Sequence, residues 1–322
     1  VQGGRAGWRF MPVGRAGCYA PGGRFPLPSS VLMTVVTART AGVGEVWVAS
    51  PRPCELTLAA AAVAGADAVV AAGGAQAVAA LAFGVDGIPA CDVVVGPGNR
   101  YVTAAKQLVI GQVGIDMLAG PSELVILADD SADPATVAAD LLAQAEHDPD
   151  AVPILVTTAD DLAEEVNREL ERQLKDLPTA EIATFALGNG GVVETLDMAQ
   201  AIDVCNALAP EHLEVLTVVP EEIAGRLDRY GALFLGSGTA EVLGDYGAGP
   251  NHVLPTGGTA RFSGPLSVLD FLVGRTWLKM EPGPDSAAVA RDAVALARIE
   301  GLEGHARAAE LRLGMVKKGG VN

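Results

Sequence analysis

Again and again along this sequence a short β-branched apolar run stops at a turn rich in glycine or proline, and a segment of helical length follows. Glu45–Ala49 is followed by the helical stretch 54–64, Ala68–Ala71 by Gly73-Gly74-Ala75-Gln76 and a helix to Phe83, and Asp92–Val95 by Gly96-Pro97-Gly98-Asn99 and a helix through Ile110. Before these, Ser29-Ser30 supply N-cap residues for a helix to Thr40. The pattern resumes after Gly120-Pro121-Ser122-Glu123. Strand Leu124–Ala128, a helix from Asp133-Pro134 through Glu146, strand Ile154–Thr157, an acidic helix over 160–174, Val192-Val193, a helix to Leu208, a strand over 213–219 and strand Ala232–Leu235 follow in turn. Strands separated by helices cannot form hairpins, so each crossover sets the next strand parallel. The sequence therefore predicts an α/β protein with two doubly wound parallel units. A long Gly/Pro-rich loop over 244–264, a short strand Thr276–Met280 and helices over 285–298 and 305–313 close the chain as an appendage.

The chain of 322 residues is long enough for two domains with sizeable cores. A formal net charge of −17, with no compensating Lys/Arg run, argues against nucleic acid or an anionic membrane as partner. No apolar run reaches the roughly 20 residues that a membrane span needs, and the start has no signal-peptide core. The four cysteines, Cys18, Cys54, Cys91 and Cys205, are far apart and form no C-x-x-C. Neither a disulfide framework nor a thiolate metal site is signalled, and a cytoplasmic setting is the simplest. The sequence lacks an initiator Met and enters a Pro/Gly-rich segment at once, so an upstream segment is expected to be absent.

Chemistry concentrates in Ala209-Pro210-Glu211-His212-Leu213-Glu214, at a helix-to-strand junction. Pro210 stiffens the backbone entering Glu211. A carboxylate beside an imidazole can take a proton near neutral pH and activate water. A solvated acid beside a capping histidine is the plainer alternative. Of the four histidines, His147 shares a helical face with Gln144, His252 lies with Asp245 in the long loop, and His305 follows Glu300-Gly301-Leu302-Glu303-Gly304. An amide oxygen, a carboxylate and two imidazoles suit Zn²⁺, with Mn²⁺ or Co²⁺ as substitutes. The glycine turns lie beyond the carboxyl ends of parallel strands, where such sheets bind ligands and where backbone N–H groups favour phosphate. Yet the third glycine of G-x-G-x-x-G is missing from Gly96-Pro97-Gly98-Asn99-Arg100-Tyr101 and from Gly236-Ser237-Gly238-Thr239-Ala240-Glu241, so nucleotide binding and plain tight turns both stay open.

Eight segments in order resemble histidinol dehydrogenase. They are Tyr19-Ala20-Pro21-Gly22-Gly23, Gly73-Gly74-Ala75-Gln76-Ala77, Gly96-Pro97-Gly98-Asn99, Asp116-Met117-Leu118-Ala119-Gly120-Pro121-Ser122-Glu123, Gln144-Ala145-Glu146-His147, Pro210-Glu211-His212-Leu213-Glu214, the run from Gly244-Asp245-Tyr246 through Asn251-His252 to Pro255-Thr256, and Glu300-Gly301-Leu302-Glu303-Gly304-His305. The resemblance implies a homodimeric, zinc-dependent enzyme of histidine biosynthesis. Such an enzyme oxidises L-histidinol to L-histidinal and then to L-histidine, reducing two NAD⁺. It also implies zinc, one per subunit, on Gln144, His147, Asp245 and His305, with Mn²⁺ as an alternative. His212 then resembles the base for the hydroxyl proton and Glu211 the base that activates water. Ser122, Gln144, His147, His212, Asp245, His252, Glu300 and His305 match substrate-binding positions, and Tyr19, Gln76 and Asn99 match NAD contacts on an incomplete Rossmann-like domain.

The implied domains are 1–121 for NAD, 122–265 for zinc and catalysis, and 266–322 as an appendage reaching the partner subunit's site. The family carries a much longer stretch before its Tyr-x-Pro-Gly-Gly turn than the eighteen residues here. That stretch would supply part of the second unit and of the dimer contact. Two other readings are a related zinc- and NAD-dependent dehydrogenase of another small alcohol, and an inactive truncated fragment that binds nucleotide or protein.

Overall fold

A computed structural model describes residues 1–22 and 26–318. Gly23, the last residue of the first glycine turn, lies outside the described residues. The chain divides into two compact units, one running from Pro12 to Phe271 and the other joining Val1–Met11 to the segment from Leu272 onward. In chain order the elements of the larger unit follow strand β1 (Gly4–Pro12), which belongs with the smaller one. They begin with β2 (Arg15–Tyr19), α1 (Pro28–Ala41), β3 (Glu45–Ala49), α2 (Glu55–Ala64), β4 (Ala68–Val70), α3 (Gly74–Phe83), β5 (Val93–Val95), α4 (Arg100–Val109) and β6 (Gly114–Ile115). These strands form one parallel sheet in the order β4-β3-β2-β5-β6. The chain starts in the middle at β2, steps outward through β3 and β4, and returns to the far side through β5. That reversal is the switch point at which doubly wound sheets open a ligand crevice.

Helices α1 and α2 cover one face, against Ala16, Cys18, Val46, Val48 and Val95, while α3 and α4 cover the other, against Tyr19, Ala49 and Val94. The central strand β2 is not among the strands that the sequence pattern predicts. Its sequence, Arg-Ala-Gly-Cys-Tyr, lacks the β-branched residues that mark strands, and the packing explains why. A Cβ on Gly17 would stand 3.0 Å from Leu81 Cδ1, so α3 lies too close to the sheet centre for large side chains.

The second sheet follows as β7 (Glu123–Ala128), α5 (Pro134–Ala145), β8 (Val152–Thr157), α6 (Leu162–Leu174), α7 (Ala180–Leu187), β9 (Gly191–Glu194), α8 (Met198–Leu208), β10 (His212–Leu216), α9 (Pro220–Ala224), β11 (Ala232–Leu235) and the single turn α10 (Val242–Asp245). It is parallel throughout, in the order β11-β10-β7-β8-β9. Its middle strand is apolar on both faces because both are covered: Leu124 and Ile126 face α5, α6 and α7, and Val125 and Leu127 face α8 and α9. The expected pair of Rossmann-like sheets is thus present.

The smaller unit holds a two-stranded ribbon of β1 with β12 (Leu272–Met280), then α11 (Pro284–Ile299) and α12 (Glu303–Lys318). Val294, Ala297 and Ala306 form its buried cluster. Two boundaries fall elsewhere than expected. Residues 1–11 pair with the carboxy-terminal strand and not with the first sheet, and residues 266–271 stay in the larger unit. The second shift has a packing cause, since Leu266 and Phe271 are buried against the cluster beneath α1.

Candidate active site

Helix α8 ends on Ala209, whose φ of 48° is left-handed, a conformation that costs a non-glycine residue about 1 kcal/mol or more and collects at functional sites. Pro210 follows, and β10 then starts on His212 itself. Because β10 lies between β7 and β11, its first residues stand beside Leu124 and Ala232 at the end of the sheet. Both side chains of the pair are held by one residue of the neighbouring strand. The backbone N–H of Glu123 donates to Glu211 Oε2 at 2.9 Å, and His212 Nδ1 lies 3.0 Å from the Glu123 carbonyl oxygen. A carbonyl can only accept, so Nδ1 carries the ring proton and Nε2 is left as the basic nitrogen.

Burial sets the charges of this pair. It pushes the His212 pKa down to about 4, against the pull of the Glu123 carbonyl and of Asp245, and the neighbouring His147 and His252 push the same way. Glu211 moves in the opposite sense, well above the ordinary carboxyl value, chiefly by burial and then by the charges of Glu241, Glu123 and Asp245. Desolvation penalises imidazolium, so the ring is neutral at neutral pH.

Next to His212 lies a cluster with the chemistry of a metal site. His147, Glu241 and Asp245 offer donor atoms that all lie within 4.8 Å of one another. His147 follows the end of α5 and its N–H donates to the Gln144 carbonyl, while Glu241 and Asp245 bracket α10. Gln144 is 1% exposed, yet neither its side-chain oxygen nor its nitrogen has a hydrogen-bond partner among the described residues. A buried amide without partners is costly, and it calls for a ligand to complete it. This orphaned amide and the N/O donor set fit the implied Zn²⁺ or Mn²⁺.

Three of the four expected ligands, Gln144, His147 and Asp245, thus belong to this region of the larger unit, whereas His305 stands exposed in the first turn of α12 in the smaller unit. Glu241 was not anticipated, although its four-residue spacing from Asp245 was the available signal. Its pKa is pushed up to about 8 by burial and by Asp245 and Asp140, and its Oε1 stands 3.6 Å from His212 Nε2. His252 Nδ1 is 3.2 Å from Asp245 Oδ1 without hydrogen-bond alignment. Ser122 is half-buried one residue before β7, and Glu300 is exposed at the end of α11. The side chain of Glu123 accepts from the Gly257 N–H at 2.9 Å and so pins the long loop to β7.

At the switch point of the first sheet, Tyr19 ends β2, Gln76 lies in the first turn of α3, and Asn99 caps α4. Tyr19 ties the three turns together. Its hydroxyl accepts from the Gly74 N–H at 3.0 Å, and a Cβ on Gly96, which sits at φ 112°, would collide with its carbonyl oxygen. Gln76 and Asn99 are exposed, but Tyr19 is buried, so its hydroxyl serves the turn. Asn99 Oδ1 accepts from Tyr101 and Val102, leaving its amide NH₂ as the polar group for a ligand. The N-cap residue, Gly73, has no side chain to offer α3, so beyond the Gly74 N–H held by Tyr19 its first turn is a glycine-lined cradle of the sort that receives a dinucleotide phosphate. The residues present therefore fit NAD despite the missing fingerprint.

A buried carboxyl–imidazole pair and a donor cluster on one parallel sheet, with a second parallel sheet that carries a cofactor-type crevice, are the architecture of an α/β oxidoreductase. An acetylating aldehyde dehydrogenase from Geobacillus thermoglucosidasius shares the fold alone, with a TM-score of 0.58 at 13% identity over 86% of this chain and 77% of that one. Sequence narrows the class. A model of the histidinol dehydrogenase family matches residues 1–313. Histidinol dehydrogenase of Thermus thermophilus is 54% identical over 302 residues, 94% of this chain and 73% of the relative. The crystal structure of histidinol dehydrogenase from Elizabethkingia anophelis superimposes with a TM-score of 0.93 at 36% identity, covering 98% of this chain and 74% of that one. The chain belongs to the histidinol dehydrogenase family, NAD-dependent oxidoreductases of histidine biosynthesis. No helix among the described residues is long and apolar enough to cross a membrane.

Proposed function

We propose that the chain oxidises L-histidinol to L-histidine through L-histidinal. The observation that carries this reading is the grip of the Glu123 backbone on both Glu211 and His212, beside the His147–Glu241–Asp245 cluster. In the first half-reaction His212 Nε2 takes the hydroxyl proton as a hydride leaves the same carbon. Its depressed pKa keeps Nε2 unprotonated and ready at neutral pH. In the second, Glu211 takes a proton from the water that adds to the aldehyde, and a second hydride leaves the hydrated carbon. A carboxylate whose pKa is raised is a stronger base once ionised, which suits it to water. When bound, NAD⁺ supplies the hydride acceptor and zinc a fixed positive site for the substrate's nitrogen donors.

Gln144, His147 and Asp245 would hold the metal with His305, and Ser122, His252 and Glu300 would meet the substrate. The first sheet carries NAD at Gln76 and Asn99, on turns that the buried Tyr19 holds in place, the second carries the chemistry, and the carboxy-terminal unit completes the site of a second copy in a homodimer. Exposure of Glu300, His305, Trp8, Phe10, Trp277 and Leu278 supports that last assignment. We place the enzyme in the cytoplasm, where NAD⁺ is at hand and the exposed thiol of Cys54 stays reduced. The test is NADH formation from L-histidinol against other amino alcohols, before and after chelation. Two NADH per L-histidinol, loss of turnover on chelation and return with Zn²⁺ or Mn²⁺ are expected. Preference for another amino alcohol, or full turnover in a preparation shown metal-free by elemental analysis, would overturn the substrate or the metal assignment.

A further inference from the structure

Beneath the cofactor crevice lies an ion pair that the reaction does not use. Lys106 of α4 and Asp116, which follows β6, have side chains only 2% and 0% exposed, and they pair with one another. Both also reach the backbone of one residue. Lys106 Nζ donates to the Gly96 carbonyl at 3.0 Å, and Asp116 Oδ2 accepts from the Gly96 N–H at 2.7 Å. Gly96 is the first residue after β5, where the sheet ladder ends, and the next residue, Pro97, has no N–H with which to close a turn. Its φ of 112° is open only to glycine, and the Tyr19 carbonyl blocks any side chain.

The pair therefore holds a backbone conformation that nothing else in the turn would hold. Stability alone does not account for it, because well-packed apolar residues of similar volume replace buried ion pairs at little or no loss. What two apolar residues cannot do is present a donor to the carbonyl and an acceptor to the N–H of one residue. Asn99, Thr103 and Lys106 stand at i, i+4 and i+7, on one face of α4. Asn99 caps the helix, Thr103 Oγ1 donates to the Ala119 carbonyl at 2.6 Å, and Lys106 returns to Gly96. The turn, the helix and the segment 116–119 thus close into one braced loop.

We propose that Lys106 and Asp116 are positioning residues that set the Gly96–Asn99 turn for NAD⁺, so that cofactor affinity depends on them and hydride transfer does not. This rests on the reading of the crevice as the NAD site. The test measures NAD⁺ binding by calorimetry and steady-state kinetics on the full chain carrying Lys106→Met with Asp116→Leu, which leaves no charge unpaired. The double variant is expected to fold with the parental metal content and the parental KM for L-histidinol. Its kcat at saturating NAD⁺ should stay within about twofold of the parent, while Kd and KM for NAD⁺ rise at least about tenfold. Lys106→Arg, which keeps charge and donor in another shape, should fold and show a smaller rise of about threefold. Parental NAD⁺ affinity in either folded variant, or a fall in kcat without a rise in KM, overturns the inference while leaving the crevice in place. Absence of NAD⁺ binding by the parent chain would remove the cofactor reading and the inference together.

Discussion

Glu123 holds the Glu211–His212 pair, the proposed bases, through its backbone, by giving Glu211 an N–H and His212 a carbonyl, so the two side chains are fixed independently of each other. Their chemistry should be separable for that reason. His212→Asn should slow the alcohol step by about 10²-fold or more, as loss of a general base does. Glu211→Gln should depress conversion of L-histidinal to L-histidine more than the first half-reaction, because only the second consumes water. Single-turnover assays started from each substrate check this, and equal losses in both halves for both variants would refute the assignment. A second residue-scale prediction concerns Glu214, on the strand two residues beyond. It is fully buried, neither carboxyl oxygen has an aligned hydrogen-bond partner among the described residues, and burial, followed by the charges of Asp140 and Glu241 and by the nearby Asp140 carboxyl, pushes its pKa up to about 9. The folded chain therefore holds this proton between about 4.5 and 9, where the unfolded chain releases it. The contribution is fully present below 4.5 and is lost as pH rises through 9. Glu214→Gln, an uncharged isostere of the protonated acid, should match the parent's Tm at pH 5 and exceed it at pH 9. A Tm difference that does not change with pH would count against a protonated Glu214.

At the scale of elements, what could be read from the chain depended on how rare the residue type is. With only four histidines in the chain, His147, His212 and His252 stand out in the sequence as candidate site residues. Glu241, Glu214 and Asp116 did not stand out among 39 acidic residues, because their roles come from burial that only the fold creates. Strands behaved similarly. β7 carries an unbroken apolar run and is plain to see, whereas β2, at the very centre of the first sheet, has the small residues Ala16, Gly17 and Cys18 in its middle and lacks the β-branched pattern of a strand. The helix after β5 was legible from Asn99, whose cap geometry is local, but not the buried pair that braces its turn. Asn99 is exposed with its amide NH₂ free, so Asn99→Leu should raise the KM for NAD⁺ by about tenfold or more while leaving metal content unchanged. Unaltered NAD⁺ kinetics in a folded variant would move the cofactor out of this crevice, whatever Lys106 does.

For the whole molecule, the question is which chain's donor cluster the proposed ligand His305 would complete. It is exposed in a unit whose own buried cluster is Val294, Ala297 and Ala306, while large apolar side chains of the β1–β12 ribbon, among them Trp8, Phe10 and Leu278, face solvent in the single chain. A unit with so small a core among its described residues and so much exposed apolar surface gains by burying it against a second copy, and two-fold pairing is the commonest way to do so. On the proposed reading each metal takes Gln144, His147 and Asp245 from one chain and His305 from its partner. Asp245→Ala and His305→Ala should then each be inactive alone. When the two are unfolded together and refolded, random pairing makes about half of all dimers mixed, and each mixed dimer holds one site with both lesions and one with neither. Roughly a quarter of the parental activity should therefore return. If each site were completed within a single chain, every site would keep one lesion and nothing would return. Native mass spectrometry identifies the mixed dimers, and their presence without recovered activity would show that His305 serves its own chain.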